Sequence, residues 1–257
     1  MQAKALPDSR IKKMNKYKIL IQYVGTKYNG WQIQKDQATV QGVIRDAIYQ
    51  LTGETVSLVG AGRTDSGVHA LGQIAHFKLE RKLLLDRLRR SLNGVLPWDI
   101  RIMRVNLATE PFHAQRDALQ KRYEYRIFNA EVLPPFLRGY VYHLPRILDF
   151  EVMQAAASKL IGSHDFKGFA AKASRIKDST REIFLSRVLK KGRHITYQVE
   201  GNGFLHHMVR NFVGTLVEVG RNQRSARDIV RILQSRDRQL AGPTAPPQGL
   251  YLMKVWY

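Results

Sequence analysis

The alternation of strand-like and helix-like segments is the feature that most limits the fold of this chain. In the first half, four segments have the length and apolar content of strands: residues 18–24, 56–59, 73–79 and 100–107. Two segments repeat apolar side chains at helical spacing: residues 40–51, between an N-cap at Thr39 and Gly53, and residues 84–92. The order β-α-β-β-α-β predicts a sheet with helices packed on it.

The second half repeats this pattern approximately. Its predicted strands are residues 122–128, 140–144, 182–189, 194–200 and 250–256, and its predicted helices are 150–161, 205–219 and 225–233. A doubly wound parallel sheet needs a helix between successive strands throughout, so we expect an α+β fold with mixed, largely antiparallel sheets flanked by helices. The predicted units are a flexible basic extension at 1–15 and two similar α/β domains, 16–110 and 111–257, around a central basic cleft.

The charge balance points to a polyanionic partner. The chain has 42 Lys and Arg against 21 Asp and Glu, which gives a net charge of +21. A basic excess spread along the whole chain is typical of proteins that bind the phosphate backbone of nucleic acids. Attraction to a membrane surface and simple solubility are the alternatives that charge alone leaves open.

Cysteine usage and hydropathy narrow the class further. The chain has no cysteine, which excludes disulfides, thiolate catalysis and cysteine-based metal sites. It also has neither an apolar signal core at the N-terminus nor a segment with the length of a membrane span. We therefore expect a cytoplasmic protein without a membrane partner.

The segment GAGRTDSGVHA at residues 60–70 contains the first candidate catalytic group. Asp65 follows an apolar run there, between glycines that allow sharp turns, and Arg63 supplies a cation within reach of a carboxylate or a phosphate. Taken alone, Asp65 is better explained as a turn residue that bonds its own backbone.

Other known binding and catalytic motifs do not fit this segment. A dinucleotide-binding loop would need glycine at position 65, and a phosphate loop would need Lys and Ser or Thr after Gly72. An aspartic protease needs two carboxylates that share a proton, and the chain has no second Asp-Ser-Gly. Ser66 with His69 lacks the nucleophile elbow and an orienting third residue, so hydrolase chemistry is a minor alternative.

The histidines predict no metal site. His206 and His207 fall on the predicted helix 205–219, where adjacent side chains point in different directions and cannot form an i, i+4 metal pair. Arg210 lies on the same apolar helix, and a cation on a buried face needs an anion, for which Asp65 is a candidate.

Five segments together resemble the tRNA pseudouridine synthase A family, in that family's order. They are YVGTKYNGWQIQ at 23–34, GRTDSGVHA at 62–70, KRYEYRIFN at 121–129, GNGFLHHMVRNFVGTLVEVG at 201–220 and GPTAPPQGLYL at 242–252. The resemblance runs from about Lys16 to the C-terminus. It implies the pseudouridine synthase fold, an isomerase that converts uridines at tRNA positions 38, 39 and 40 of the anticodon stem-loop to pseudouridine, a homodimer, and no cofactor or metal.

The resemblance also assigns roles to residues. Asp65 corresponds to the essential catalytic carboxylate, Arg63 to the residue that flips the target nucleotide, Tyr123 to the aromatic ring that stacks on the target base, and Arg210 to the partner of the carboxylate. We further expect RNA contacts from four residues: Arg116, Lys121, Arg122 and His206.

The required chemistry agrees with these assignments. Moving the uracil from an N1 to a C5 link needs a carboxylate nucleophile or base beside a cation, and a base that leaves its stack needs an aromatic platform. Attack of Asp65 on the ribose, attack on the base and removal of a ribose proton all stay open.

Two departures from the family pattern bear on how the substrate is bound. The family commonly has arginine at the position of Gln115, whereas this chain has its arginine one residue later, at Arg116, and APPQG at 245–249 differs slightly from the usual form. We expect activity to survive, with a shift in the set of uridines modified. The alternatives are a non-catalytic RNA-binding protein on the same fold and a synthase that acts on another RNA.

Overall fold

The computed structural model describes residues 14–171 and 178–257 of the chain. Residues 1–13 of the predicted extension lie outside this range, and Asn15 already belongs to the first strand. The strands and α-helices of the described residues are, in chain order, β1 (Asn15–Tyr23), α1 (Val40–Thr52), β2 (Val59–Gly60), β3 (His69–Leu79), α2 (Leu85–Val95), β4 (Ile100–Leu107), β5 (Gln120–Asn129), β6 (Tyr142–Leu144), α3 (Phe150–Ser158), β7 (Gly162–Asp165), β8 (Thr180–Lys191), β9 (His194–Gly201), α4 (Met208–Gly220), α5 (Ala226–Ser235) and β10 (Leu250–Trp256).

These strands form one mixed sheet in the order β4-β1-β3-β10-β5-β9-β8-β7, with β2 beside β3 and β6 beside β5. The pairs are antiparallel except β10 with β3 and β5 with β6. The last strand in sequence, β10, lies at the centre and joins the strands of the first half to those of the second. Its pairing with β3 is confined to Tyr251 with His69 and Leu252 with Ala70.

Local sequence explains why the elements form where they do. In β1, the buried side chains Tyr17, Ile19 and Ile21 alternate with less buried ones, which is the period of a strand with one face in the core. Helix α1 begins where the Thr39 hydroxyl accepts a hydrogen bond from Gly42 N, and it ends at Gly53, whose φ of 73° suits glycine.

The α+β class and the largely antiparallel pairing are confirmed, but the strands of the two halves form one sheet instead of two. The division into domains at residues 110 and 111 stays a prediction. The sequence pattern missed β7, because GSHD has no apolar alternation. Of the predicted strand 56–59, only Val59 pairs, together with Gly60.

Helix α4 is buried on nearly every side and is tightly packed against the segment 243–245. A Cβ atom on Gly214 would lie 1.6 Å from the carbonyl oxygen of Pro243, so only glycine allows this approach. The same segment accepts a hydrogen bond from Arg210 Nε at Ala245 O, at 2.7 Å, and Ala245 N donates to Arg210 O at 3.1 Å. The glycine thereby lets the segment 243–245 fix the position of Arg210.

We expect Gly214→Ala to lower the free energy of unfolding by about 1–3 kcal/mol or more, because the methyl group forces the 243–245 segment off the helix. The measurement is urea unfolding of the purified chain. Gly94→Ala is the matched control, since a Cβ on this helical glycine meets no atom within 4 Å. That control should be neutral or more stable by up to about 1 kcal/mol. Equal stability of the two variants would contradict the packing argument.

Candidate active site

Backbone contacts fix the loop that carries Asp65, residues 60–68. Trp31 N donates to Thr64 O at 3.0 Å, and Gly67 N donates to Tyr28 O at 3.3 Å. A tight turn follows Asp65, closed by a hydrogen bond from Val68 N to Asp65 O at 3.2 Å. The carboxylate is therefore presented by a loop whose main chain has little freedom.

A second set of contacts supports the loop from the core side. The Tyr23 hydroxyl lies 2.8 Å from Thr64 Oγ1, and Gln73 Nε2 donates to Gly62 O at 2.8 Å. Tyr23 and Gln73 are buried, and burial raises the pKa of Tyr23 well above its usual range, so this hydroxyl stays protonated and can donate. The two residues next to Arg63 in the chain, Gly62 and Thr64, are thus both held by buried polar side chains.

Asp65 and Arg210 form an ion pair across the centre of the molecule. Arg210 Nη1 donates to Asp65 Oδ2 at 2.9 Å, and the side chains are 12% and 20% exposed, respectively. Because Arg210 Nε is already bound to Ala245 O, the guanidinium is held in one orientation toward the carboxylate.

Both imidazoles of the His-His pair also face Asp65. His206 Nε2 lies 3.4 Å from Oδ1, and His207 Nε2 lies 3.5 Å from Oδ2. The expectation that the two side chains point in different directions from one helix is wrong, because α4 begins only at Met208 and His207 precedes it with a φ of 62°. Burial, the largest influence, lowers the pKa of His207 although Asp65 acts to raise it.

A cleft of about 1040 Å³ opens above this group. Asp65, Arg63 and Tyr123 line it together with amide side chains, which include Asn29, Gln32 and Gln115. The cleft is large enough for a nucleotide, and its walls offer cations, hydrogen-bond donors and acceptors, and an aromatic ring.

Tyr123 and Lys121 project from β5 into the cleft. Tyr123 is only 7% exposed and packs edge-on against Phe204, with ring centroids 5.1 Å apart. Its pKa is raised by burial and, to a smaller extent, by the nearby Tyr23 and Asp65. Burial, together with the charge of Arg181, lowers the pKa of Lys121.

Three cations expected near RNA lie in different places. Arg63 is exposed and lines the cleft. Arg122 lies between Lys121 and Tyr123 on β5, and alternation along the strand turns it to the opposite face, where its Nε donates to Glu200 at 2.6 Å. Arg116 is exposed in the turn that follows His113 and is not part of the cleft lining, whereas its neighbour Gln115 is.

Sequence reasoning did not identify His207, Tyr23 or Gln73 as parts of the site. The sequence pattern places His207 inside a helix, whereas α4 begins one residue later, at Met208. Tyr23 and Gln73 belong to strand segments, where their polar ends give no pattern that distinguishes them from other half-buried side chains. Only the pairing of β1 with β3 brings both beneath the loop.

Comparisons with known proteins agree on one family. A model of that family, described as tRNA pseudouridine synthase, matches residues 19–114 and 156–257. A protein of Acetivibrio thermocellus named tRNA pseudouridine synthase A is 46% identical over 244 residues, which is 95% of this chain and 100% of that protein. A protein of the same name from Thermoanaerobacter sp. is 45% identical over the same shares of the two chains.

A third relative of that name, from Oceanobacillus iheyensis, is 41% identical over 95% of this chain and 97% of its own. Among solved structures, a Cbf5-Nop10-Gar1 complex matches with 12% identity over 78% of this chain and 54% of that chain, at a TM-score of 0.33, too low to support a comparison. On the family match and the identities of its relatives, the chain belongs to the tRNA pseudouridine synthase family.

Proposed function

We propose that this isomerase converts uridines at tRNA positions 38, 39 and 40, in the anticodon stem-loop, to pseudouridine. The observation that carries the proposal is the ion pair between Asp65 and Arg210 at the base of a basic cleft lined by Tyr123. The family supplies the reaction and the tRNA substrate. The choice of stem-loop positions rests on the sequence resemblance.

The reaction is an isomerisation, so the composition of the nucleotide does not change. The bond between N1 and C1′ of the ribose breaks, a bond between C5 and C1′ forms, the hydrogen at C5 leaves as a proton, and N1 takes up a proton. Asp65 is the carboxylate placed to act as nucleophile or base, and the fixed guanidinium of Arg210 is its counter-ion.

We assign the other cleft residues to binding and positioning. Tyr123 stacks on the extruded base, and Arg63, exposed at the rim, takes the space that the flipped nucleotide leaves. Lys121 and His206 line the cleft and contact the RNA backbone. We do not assign Arg122 to RNA binding, because its guanidinium is paired with Glu200 on the opposite face of β5.

The proposals for the oligomeric state and the cellular location rest on the sequence resemblance. We propose a homodimer that works in the cytoplasm, and large apolar side chains such as Phe136 and Ile147, which are exposed on the monomer, are available for contacts between subunits. No helix in residues 14–171 and 178–257 combines the length and the apolar character needed to cross a membrane.

We expect Asp65→Asn to reduce tritium release from C5-tritiated uridine in unmodified tRNA by at least about a hundredfold, because the amide can act neither as nucleophile nor as base. Binding of the tRNA should stay within a few-fold of wild type, since Asn keeps the shape of the loop. Release and binding are measured on the same preparations.

Asp46→Asn is the matched control, since Asp46 is exposed on α1, outside the cleft, and pairs with Arg45. It should release tritium at the wild-type rate. Binding without release by the wild type would support a non-catalytic RNA-binding protein, and release from ribosomal RNA alone would support another substrate. Full activity of Asp65→Asn would show that Asp65 does not take part in the reaction.

The substitution Gln115→Arg restores the arginine that the family commonly has at this position of the cleft wall. We expect tighter tRNA binding and a steeper salt dependence, by about 0.7–0.9 in the slope of log K against log salt, because one more phosphate is neutralised. The same change at Gln50, exposed on α1 away from the cleft, should leave the slope unchanged. Equal slopes for both variants would show that Gln115 does not face the RNA.

A further inference from the structure

The carboxylate of Asp65 and the two imidazoles converge closely enough to share a single ion. The Nε2 atoms of His206 and His207 lie 3.4 and 3.5 Å from the two carboxylate oxygens, and the three ligand atoms lie within 4.8 Å of one another. These separations exceed the usual 2.7–3.2 Å of an N–H···O hydrogen bond. Two ligands about 2.0–2.1 Å from a tetrahedral Zn²⁺ are separated by about 3.3–3.4 Å, so each imidazole stands near ligand spacing from one of the two carboxylate oxygens.

We propose that Asp65, His206 and His207 form a binding site for a divalent metal ion that prefers imidazole ligands, such as Zn²⁺, and that the bound ion blocks the active site. Three protein ligands with a fourth position left to water is a common arrangement for zinc in an accessible site. The exposure of the three side chains, from 20% for Asp65 to 58% for His206, leaves room for both the ion and its water.

The backbone conformation explains why these ligands converge. A His-His pair within a helix would spread its side chains by about 100° around the axis. Here His207 has a φ of 62° and ends the irregular segment before α4, and the two rings lie side by side with centroids 3.9 Å apart. The left-handed turn at His207 thus gives both rings access to the same carboxylate.

The donor set also predicts which ions bind. Two nitrogens and one carboxylate suit Zn²⁺, Co²⁺ or Ni²⁺, whereas Mg²⁺ prefers oxygen ligands and gives up its water reluctantly. The guanidinium of Arg210 stays on Asp65 Oδ2, at 2.9 Å, and its positive charge limits the affinity for any cation. We therefore expect a site that discriminates against the Mg²⁺ that accompanies folded tRNA.

The inference that the bound ion inhibits the enzyme rests on the proposed function. A carboxylate that coordinates a metal ion cannot act as nucleophile or base toward a nucleotide. The ion also occupies the base of the cleft, so metal and tRNA should exclude each other.

The binding test uses the full chain without RNA. Co²⁺ is titrated and followed by its visible absorption, and we expect saturation at one equivalent, reversal by Zn²⁺ and no reversal by excess Mg²⁺. His206→Asn, His207→Asn and Asp65→Asn should each weaken Co²⁺ binding at least about tenfold. His194→Asn, an exposed histidine outside the cleft, should bind like wild type. Since His206 is also exposed, its variant should keep the wild-type unfolding temperature.

The outcomes separate the metal site from the proposed reaction. Zn²⁺ should suppress tritium release by the wild type, with recovery when equimolar EDTA is added. Absence of saturable Co²⁺ binding, wild-type binding by the three variants, or displacement by Mg²⁺ would overturn the site. If no tritium is released even without Zn²⁺, the proposed function fails, while the Co²⁺ titration still decides whether the ion binds.

Discussion

The ion pair between Asp65 and Arg210 is the interaction on which the rest of the site depends. It joins residues 145 positions apart in sequence, one on a loop before β3 and the other on α4. A cation as buried as Arg210 is costly without an anion, so the pair ties the position of the loop to the position of the helix. The central placement of β10 makes this possible, because it brings the two halves of the chain into one sheet.

Local signals in the sequence predict most of the fold. The strands β4 and β10 begin and end where expected, and α1 has its predicted caps at Thr39 and Gly53. The joining of both halves into one sheet could not be predicted, because the pairing of β10 with β3 involves only two residue pairs distant in sequence. Strand β7 depends on pairing with β8 and has no apolar pattern of its own.

For the candidate site too, the local sequence predicts some features, and others become visible only in the folded structure. Motif resemblance located Asp65, Tyr123 and Arg210, which all face one cleft. It could not decide which face of β5 each cation occupies, and Arg122 lies on the face away from the cleft. Nor could periodicity reveal the left-handed conformation of His207, since a single residue with a positive φ just before α4 leaves no periodic signal in the sequence.

The proposed function is tested most directly by mapping pseudouridine in unmodified tRNA after incubation with the wild-type chain, using mass spectrometry of nuclease fragments. We predict pseudouridine at positions 38, 39 and 40 wherever a tRNA has uridine there, and unmodified uridine elsewhere. Pseudouridine outside the anticodon stem-loop, or none in any tRNA that binds, would contradict the proposal that this cleft selects and isomerises those uridines.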